Sequence, residues 1–253
     1  IMSSDWSSDV CSSDLVINLA GENLAAKRWT DTQKRKILAS RVNIGKAISQ
    51  ALERSKEKPY LLIQASAVAY YGFSDNFTFR EGMPVGEGFL PMVTWQWEDS
   101  VRHIDDRNTR KVFIRTGLVL TREGGLLPKV MMPFRFFVGG YPGNGRQWLS
   151  WIHIDDEVQA IAELLESPTS SGVYNLTAPN PVRMDEFART LGRLMGRASW
   201  TRAPSFLLKA ALGDMAEETV LNGQKVLPAR LGDEGFQYAF SHLEPALRDL
   251  LNK

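Results

Sequence analysis

The chain has 253 residues, 43% hydrophobic and 23% charged, which fits one large globular domain or one domain with a small appendage and excludes a disordered or fibrous protein. Its 30 Lys and Arg against 29 Asp and Glu leave a formal net charge of +1, and the longest basic run is Lys34-Arg35-Lys36, so the charge pattern offers no footprint for nucleic acid or an anionic membrane surface. Apolar stretches such as Leu61 to Ile63 fall far short of the ~20 residues of a membrane span, and the single cysteine, Cys11, excludes an internal disulfide and points to a reducing, cytoplasmic compartment. The expected partner is a small-molecule substrate held in a pocket.

Residues 1 to 15 repeat Ser-Ser-Asp three times without apolar periodicity, and they lack the basic start and apolar stretch of a secretory signal. The segment Asp9 to Leu15 resembles the translation of a sequencing adapter; the alternative is a natural Ser/Asp-rich disordered tail. Either way residues 1–15 are expected to be a non-native or disordered tail, with Cys11 outside the chemistry.

From Val16 the pattern turns to alternating strands and helices. Val16 to Gly21 is a β-branched run ending in glycine, as in a buried parallel strand. Thr30 with Gln33 forms a capping box ahead of Ile37, Leu38, Val42, Ile48 and Leu52, which predicts a helix from about residue 31 to 53. Tyr60 to Ser66 is the next strand, Trp95 to Arg107 the next helix, and Lys111 to Thr116 a third strand. Such alternation predicts an α/β fold, a doubly wound parallel sheet whose ligand crevice lies at the carboxyl ends of its strands. Further on, Gly139 to Gly145 reads as loop and Trp148 to Ile154 as extended, with Asp155 or Asp156 capping a helix to about Glu166. A helix follows near Asp185 to Met195, and beyond Trp200 the chain reads as a small, mostly helical region.

Several segments in this order resemble the atypical short-chain dehydrogenase/reductases known as NAD-dependent epimerase family proteins, which end in a small domain of unknown function. They are Val16 to Gly21, Ser66-Ala67-Val68-Ala69-Tyr70-Tyr71-Gly72, Arg115 to Leu120, Gly139 to Gln147, Trp151 to Asp156, Gly223 to Pro228 and Gly235-Phe236. The resemblance implies a Rossmann-like domain over 16–198 and a C-terminal domain over 199–253. It implies NAD or NADP as cofactor and an epimerase- or oxidoreductase-like reaction on a small polar or sugar-like substrate. In relatives Asn18, Leu19, Ala20 and Gly21 line the cofactor, and Arg115 is carried over to the same set.

Two features of the family's wider fold are missing. The Gly-rich turn that meets a pyrophosphate between the first strand and helix does not occur, and the nearest spacing, Gly140, Gly143 and Gly145, has its order reversed and opens no helix. By resemblance the strand at Asn18 is the fourth, so about 60–70 residues are expected upstream, and the chain is expected to be a truncated member that binds the cofactor weakly. The other is the Tyr-x-x-x-Lys pair of the superfamily, in which the ammonium lowers the phenol's pKa for proton exchange; its expected positions hold Leu90 and Thr94. That keeps open a non-catalytic NADP-binding sensor or interaction module.

Ser66 is the candidate whose hydroxyl would bond a substrate oxygen, against the alternative of a strand-end hydroxyl satisfying its turn. Tyr71 is the candidate phenol, with packing as the alternative. Arg146 and Gln147 would hold an anionic substrate through bidentate bonds, unless they belong to a solvated loop. His153, placed with them as substrate-binding, otherwise marks a strand-to-helix junction, and no metal is expected.

Overall fold

The structure, a computed structural model, describes residues 14–252. The expected tail therefore lies, up to residue 13 and including Cys11, outside the described residues. Leu15 is already the first residue of a strand. In chain order the elements are β1 (Leu15–Asn18), α1 (Asp31–Arg54), β2 (Leu61–Ala67), β3 (Ser74–Phe79), α2 (Phe89–Arg102), β4 (Arg110–Thr116), β5 (Leu118–Leu120), α3 (Leu127–Arg135) and β6 (Gly140–Pro142). Then come β7 (Trp148–Leu149), β8 (Trp151–His153), α4 (Ile154–Glu166), β9 (Gly172–Leu176), β10 (Val182–Arg183), α5 (Met184–Leu194) and β11 (Thr201–Ala203). The C-terminal region holds α6 (Ser205–Leu212), α7 (Asp214–Ala216), β12 (Gln224–Val226), α8 (Ala229–Asp233) and α9 (Leu243–Asn252).

Among the described residues the main sheet runs β1-β2-β4-β9, with every pair parallel. β2 and β4 are buried along nearly their whole length; each carries a short unbroken apolar stretch, Leu61–Ile63 and Val112–Ile114, with the buried polar Gln64, Ser66, Lys111 and Arg115 beside it. Leu62 and Phe113 pack on one face with Leu52 of α1 and Val101 of α2, while Leu61, Ile63, Val112 and Ile114 pack with α4 on the other. The two helices on the first face approach closely because Gly45 has no side chain: a Cβ there would lie 1.9 Å from Ser100 Oγ.

Local signals set α1. The Thr30 hydroxyl accepts from the Gln33 N–H at 3.2 Å, and the Gln33 amide turns away to the Glu22 carboxylate at 3.2 Å instead of closing the box. α2 begins at Phe89, earlier than the sequence predicts, because the two Glu218 carboxylate oxygens accept from the N–H groups of Phe89 and Leu90 at 2.9 and 2.8 Å. That cap comes from the C-terminal region, so no pattern near residue 89 announces it. The helix also stops short of the predicted Arg107: the Asp105 carboxylate accepts from the Arg107 N–H at 3.0 Å and turns the chain. α4 is capped by His153, whose Nδ1 accepts from the Asp155 N–H at 3.1 Å, rather than by either aspartate. Asp156 instead accepts from the N–H groups of Ala239 and Phe240 at 2.8 and 3.0 Å, fixing the C-terminal region to the start of α4. Pairing of β12 with β3 and of β11 with β6 adds further ties.

Candidate functional site

The sheet register brings polar side chains into one row. Ser66 of β2 pairs with Arg115 of β4, which pairs with Asn175 of β9, all near the carboxyl ends of their strands. Side chains alternate faces along a strand, so these share the face of Leu62 and Phe113; α2 reaches Ser66 and Arg115, and the C-terminal region reaches Asn175 through Leu227. From α2 the fully buried Glu98 reaches the row. Its carboxylate accepts from Arg115 Nε at 2.7 Å and Nη2 at 2.9 Å, and from the Ser66 hydroxyl at 2.7 Å. Arg115 Nη1 donates to the Tyr71 hydroxyl at 3.0 Å, and its guanidinium carbon sits 3.3 Å from the Tyr70 ring centroid.

Hydrogen-bond direction is fixed around this cluster. The Asn175 amide N donates to Leu227 O at 3.0 Å, so its oxygen faces Tyr71 and accepts the phenol proton at 2.7 Å. Ser66 spends its one proton on the Glu98 carboxylate. Both candidate hydroxyls thus have their protons committed to acceptors and keep only lone pairs to offer. Burial pushes the Tyr71 phenol above its ordinary value, against the opposing charge and hydrogen bond of Arg115. Burial works against the charge on Arg115 itself, yet the bonds and charge of Glu98 win and hold it above the usual guanidinium value. Removing either ion-pair partner would strand a buried charge.

At the end of β1 the buried Asn18 donates to Gln64 Oε1 at 2.8 Å and accepts from the Ala20 N–H at 3.2 Å, an Asx turn that shapes the segment through Gly21. Leu19 is 60% exposed. A Cβ on Gly21 would fall 2.9 Å from the Arg41 guanidinium carbon, so glycine is what lets Arg41 close under this turn and bond Glu22 O and Ile37 O at 3.1 Å each. Burial lowers the Arg41 pKa, with Glu22 opposing.

The remaining candidates lie apart from this cluster. Arg146 is exposed, and its N–H donates to Asn144 Oδ1 at 2.9 Å. Gln147 is buried and donates to Pro142 O and Val220 O at 3.2 and 2.9 Å, tying the glycine loop to the C-terminal region. His153 is fully buried against Phe240, with Nε2 3.4 Å from Asp249 Oδ2. Together with Asp155 and Asp249 it offers three ligand atoms within 4.8 Å of one another, a spacing a metal can use. The α4 cap already uses one of these atoms: Nδ1 accepts the Asp155 N–H, and Nε2 is the ring nitrogen that faces Asp249.

Sequence reasoning missed Glu98, Asn175 and Glu157. Glu98 was legible as the next position on the helical face of Leu90 and Thr94, one turn further on. Glu157 lies on the opposite sheet face, where it accepts from the Thr116 hydroxyl at 2.8 Å, and burial raises its pKa to about 7 despite that bond. A cavity of about 550 Å³ opens at the other end of the sheet, among Tyr60, Asp106, Arg107 and Arg110. Ligands of open parallel sheets bind outside the carboxyl ends, so the strand-end cluster is the better candidate.

The parallel sheet, its covering helices and the small helical C-terminal region define a Rossmann-like α/β protein. Residues 203–250 match the family described as DUF1731, a domain of unknown function. The chain is 42% identical over 239 residues to epimerase family protein YfhF of Bacillus subtilis, covering 94% of this chain and 78% of that one. It is 40% identical over 250 residues to the chloroplastic SDR39U1 homolog of Arabidopsis thaliana, covering 98% and 71%. The crystal structure of human epimerase family protein SDR39U1 with NADPH superposes with a TM-score of 0.91 at 34% identity, covering 96% of this chain and 83% of that one. A nucleoside-diphosphate sugar epimerase from Corynebacterium glutamicum matches with a TM-score of 0.75 at 29% identity, over 94% and 46%. The chain belongs to the SDR39U1 group of epimerase family proteins.

Proposed function

We propose that this protein is an NAD(P)-dependent oxidoreductase of the epimerase type acting on a small polar or sugar-like substrate, with its site at the carboxyl ends of β1, β2 and β4. In this reading residues 16–198 form the cofactor-binding domain and 199–253 the small C-terminal domain, and the protein works in the cytoplasm. The observation that carries the reading is the in-register row Ser66–Arg115–Asn175 with Tyr71, buried at the strand ends and tied to Glu98 of α2. The human relative's NADPH supports the cofactor class.

The residues present fit part of such a cofactor. The Asx turn at Asn18 leaves Leu19 to Gly21 open as a main-chain surface, and Gly21 permits close approach; no Gly-rich pyrophosphate turn occurs in the sequence. When bound, the nicotinamide supplies or accepts a hydride. The chain's own residues position the partner: Ser66 Oγ, its proton given to Glu98, accepts a hydrogen bond from a donor group such as a carbinol hydroxyl. Arg115 holds Glu98 and Tyr71 in place. Arg146 is the contact offered to an anionic group, Gln147 fixes its loop, and His153 sets the first turn of α4.

A second reading, an NADP-binding sensor without turnover, is favoured by the committed protons of Ser66 and Tyr71 and by Leu90 and Thr94 at the relay positions. The test is deuteride transfer from 4-deuterated NADPH, at saturating concentration, into a panel of nucleotide keto-sugars and small hydroxy-carbonyl compounds, each offering a carbonyl carbon to take the label. Label in a product, lost with Ser66→Ala in a variant that keeps its melting temperature, supports the enzyme. Binding without label across the panel supports the sensor.

A further inference from the structure

A second surface is left unused by this reading. The parallel β6/β11 ribbon is flanked at one end by Phe136, Phe137 and Val138, which follow α3, and by Trp200, which precedes β11. Phe206 and Leu207 open α6 at its other end. All six are exposed, Phe136 and Trp200 at 72% each. The Thr201 N–H donates to Gly139 O at 3.2 Å, which in the parallel register sets Trp200 opposite Gly139, next along the chain to Val138, and the Gly143 N–H donates to Ala203 O at 2.9 Å at the far end. A ribbon this short spans only ~10 Å. Half of α6 is leucine or phenylalanine; Leu208 and Leu212 are half-buried, Leu212 against Trp29 and Met215, while Phe206 and Leu207 at its start stay exposed. Phe137 also holds φ at 63°, the lone positive value among the described non-glycine residues, a conformation that a bulky side chain disfavours.

We propose that this face is the interface between two copies of this chain. Area is the first argument. At 150–250 Å² per aromatic, the four rings expose roughly 550 Å². The aliphatic residues and arginine stems beside them bring the face toward the ~800 Å² per partner of a stable interface, above the ~300–600 Å² of the largest patch on a typical monomer. Composition is the second. The Arg197 guanidinium lies 4.3 Å from the Phe137 ring centroid and Arg135 is exposed in the same run, which contains no carboxylate from Met131 to Gly140. Aromatic residues and arginine are enriched in interface cores, where acidic residues and lysine are depleted. Across a two-fold axis the same patch meets itself, and the arginines of one copy stack on the rings of the other, so like charges face aromatic surface instead of each other. The face is distinct from the outer edge of β1, where Ile17 is also exposed.

Sedimentation velocity of the 253-residue chain from about 1 to 100 µM tests the proposal, a range that spans the affinities of such interfaces. The expected result is a concentration-dependent dimer. Phe136→Glu with Trp200→Glu gives a monomer with an unchanged circular dichroism melt, and Ile17→Lys on the β1 edge leaves the dimer intact. Hydrogen exchange on the unmodified chain is the check that needs no variant: amides of residues 136–138 and 200 become more protected as concentration rises. A monomer throughout the range, a dimer that survives both glutamates, or a dimer lost with Ile17→Lys overturns the proposal.

Discussion

Replacing Glu98 by Gln removes the charge that Arg115 is built around while keeping the side chain's shape. The wild-type carboxylate accepts two bonds from the Arg115 guanidinium, at 2.7 and 2.9 Å, the Ser66 hydroxyl at 2.7 Å and a longer one from the half-exposed Arg102 at 3.4 Å, with Glu98 and Arg115 almost wholly buried. A glutamine amide accepts through one atom and presents N–H groups to the guanidinium through the other. One charge-assisted bond is lost outright, at about 1.5–3 kcal/mol, and the buried guanidinium keeps its desolvation cost without a counter-charge. A total of about 3–4 kcal/mol follows, which for a chain of this size lowers the melting temperature by about 10 °C. Denaturant melts on Glu98→Gln, Arg115→Leu and the double variant Glu98→Leu with Arg115→Leu form the assay. The double variant should recover to within about 1.5 kcal/mol of wild type, because an apolar pair of similar volume carries no buried charge. A loss below about 1 kcal/mol in Glu98→Gln, or additive losses in the double variant, would refute the reasoning.

Other consequences can be measured separately. Because the folded Glu157 pKa is raised from 4.5 to about 7, the folded state holds the proton more tightly than the unfolded chain, so stability falls as pH rises between those values. In Glu157→Gln that part of the slope of unfolding free energy against pH should vanish. Glu218→Ala leaves the N–H groups of Phe89 and Leu90 without their carboxylate and should cost about 1 kcal/mol, with amide exchange at the start of α2 speeding up first. Unchanged exchange there would show that the cap is dispensable.

The elements that position the site were largely legible because their signals are local. β2 and β4 are centred on the β-branched and apolar stretches Leu61–Ile63 and Val112–Ile114, and α1 carries its own cap and a buried stripe through Ile37 and Leu52. What escaped depends on contacts distant in sequence. The start of α2 is set by Glu218, and β6 and β11 are too short to show a period before they meet. At the site, Ser66, Tyr71 and Arg115 could be named from motifs at strand ends. That all three are bound through Glu98 and Asn175 depends on strand register and helix rotation, which no spacing along the chain encodes.

The claim that ligands meet this protein at the carboxyl ends of β1, β2 and β4 is tested most directly by amide chemical-shift mapping of the ¹⁵N-labelled chain titrated with NADPH to millimolar concentration. The account predicts shifts concentrated at residues 18–21, 66–72 and 115–117, saturating together on one binding curve. Shifts centred on Tyr60, Asp106 and Arg110 at the opposite end of the sheet, with the strand-end residues unmoved, would contradict it.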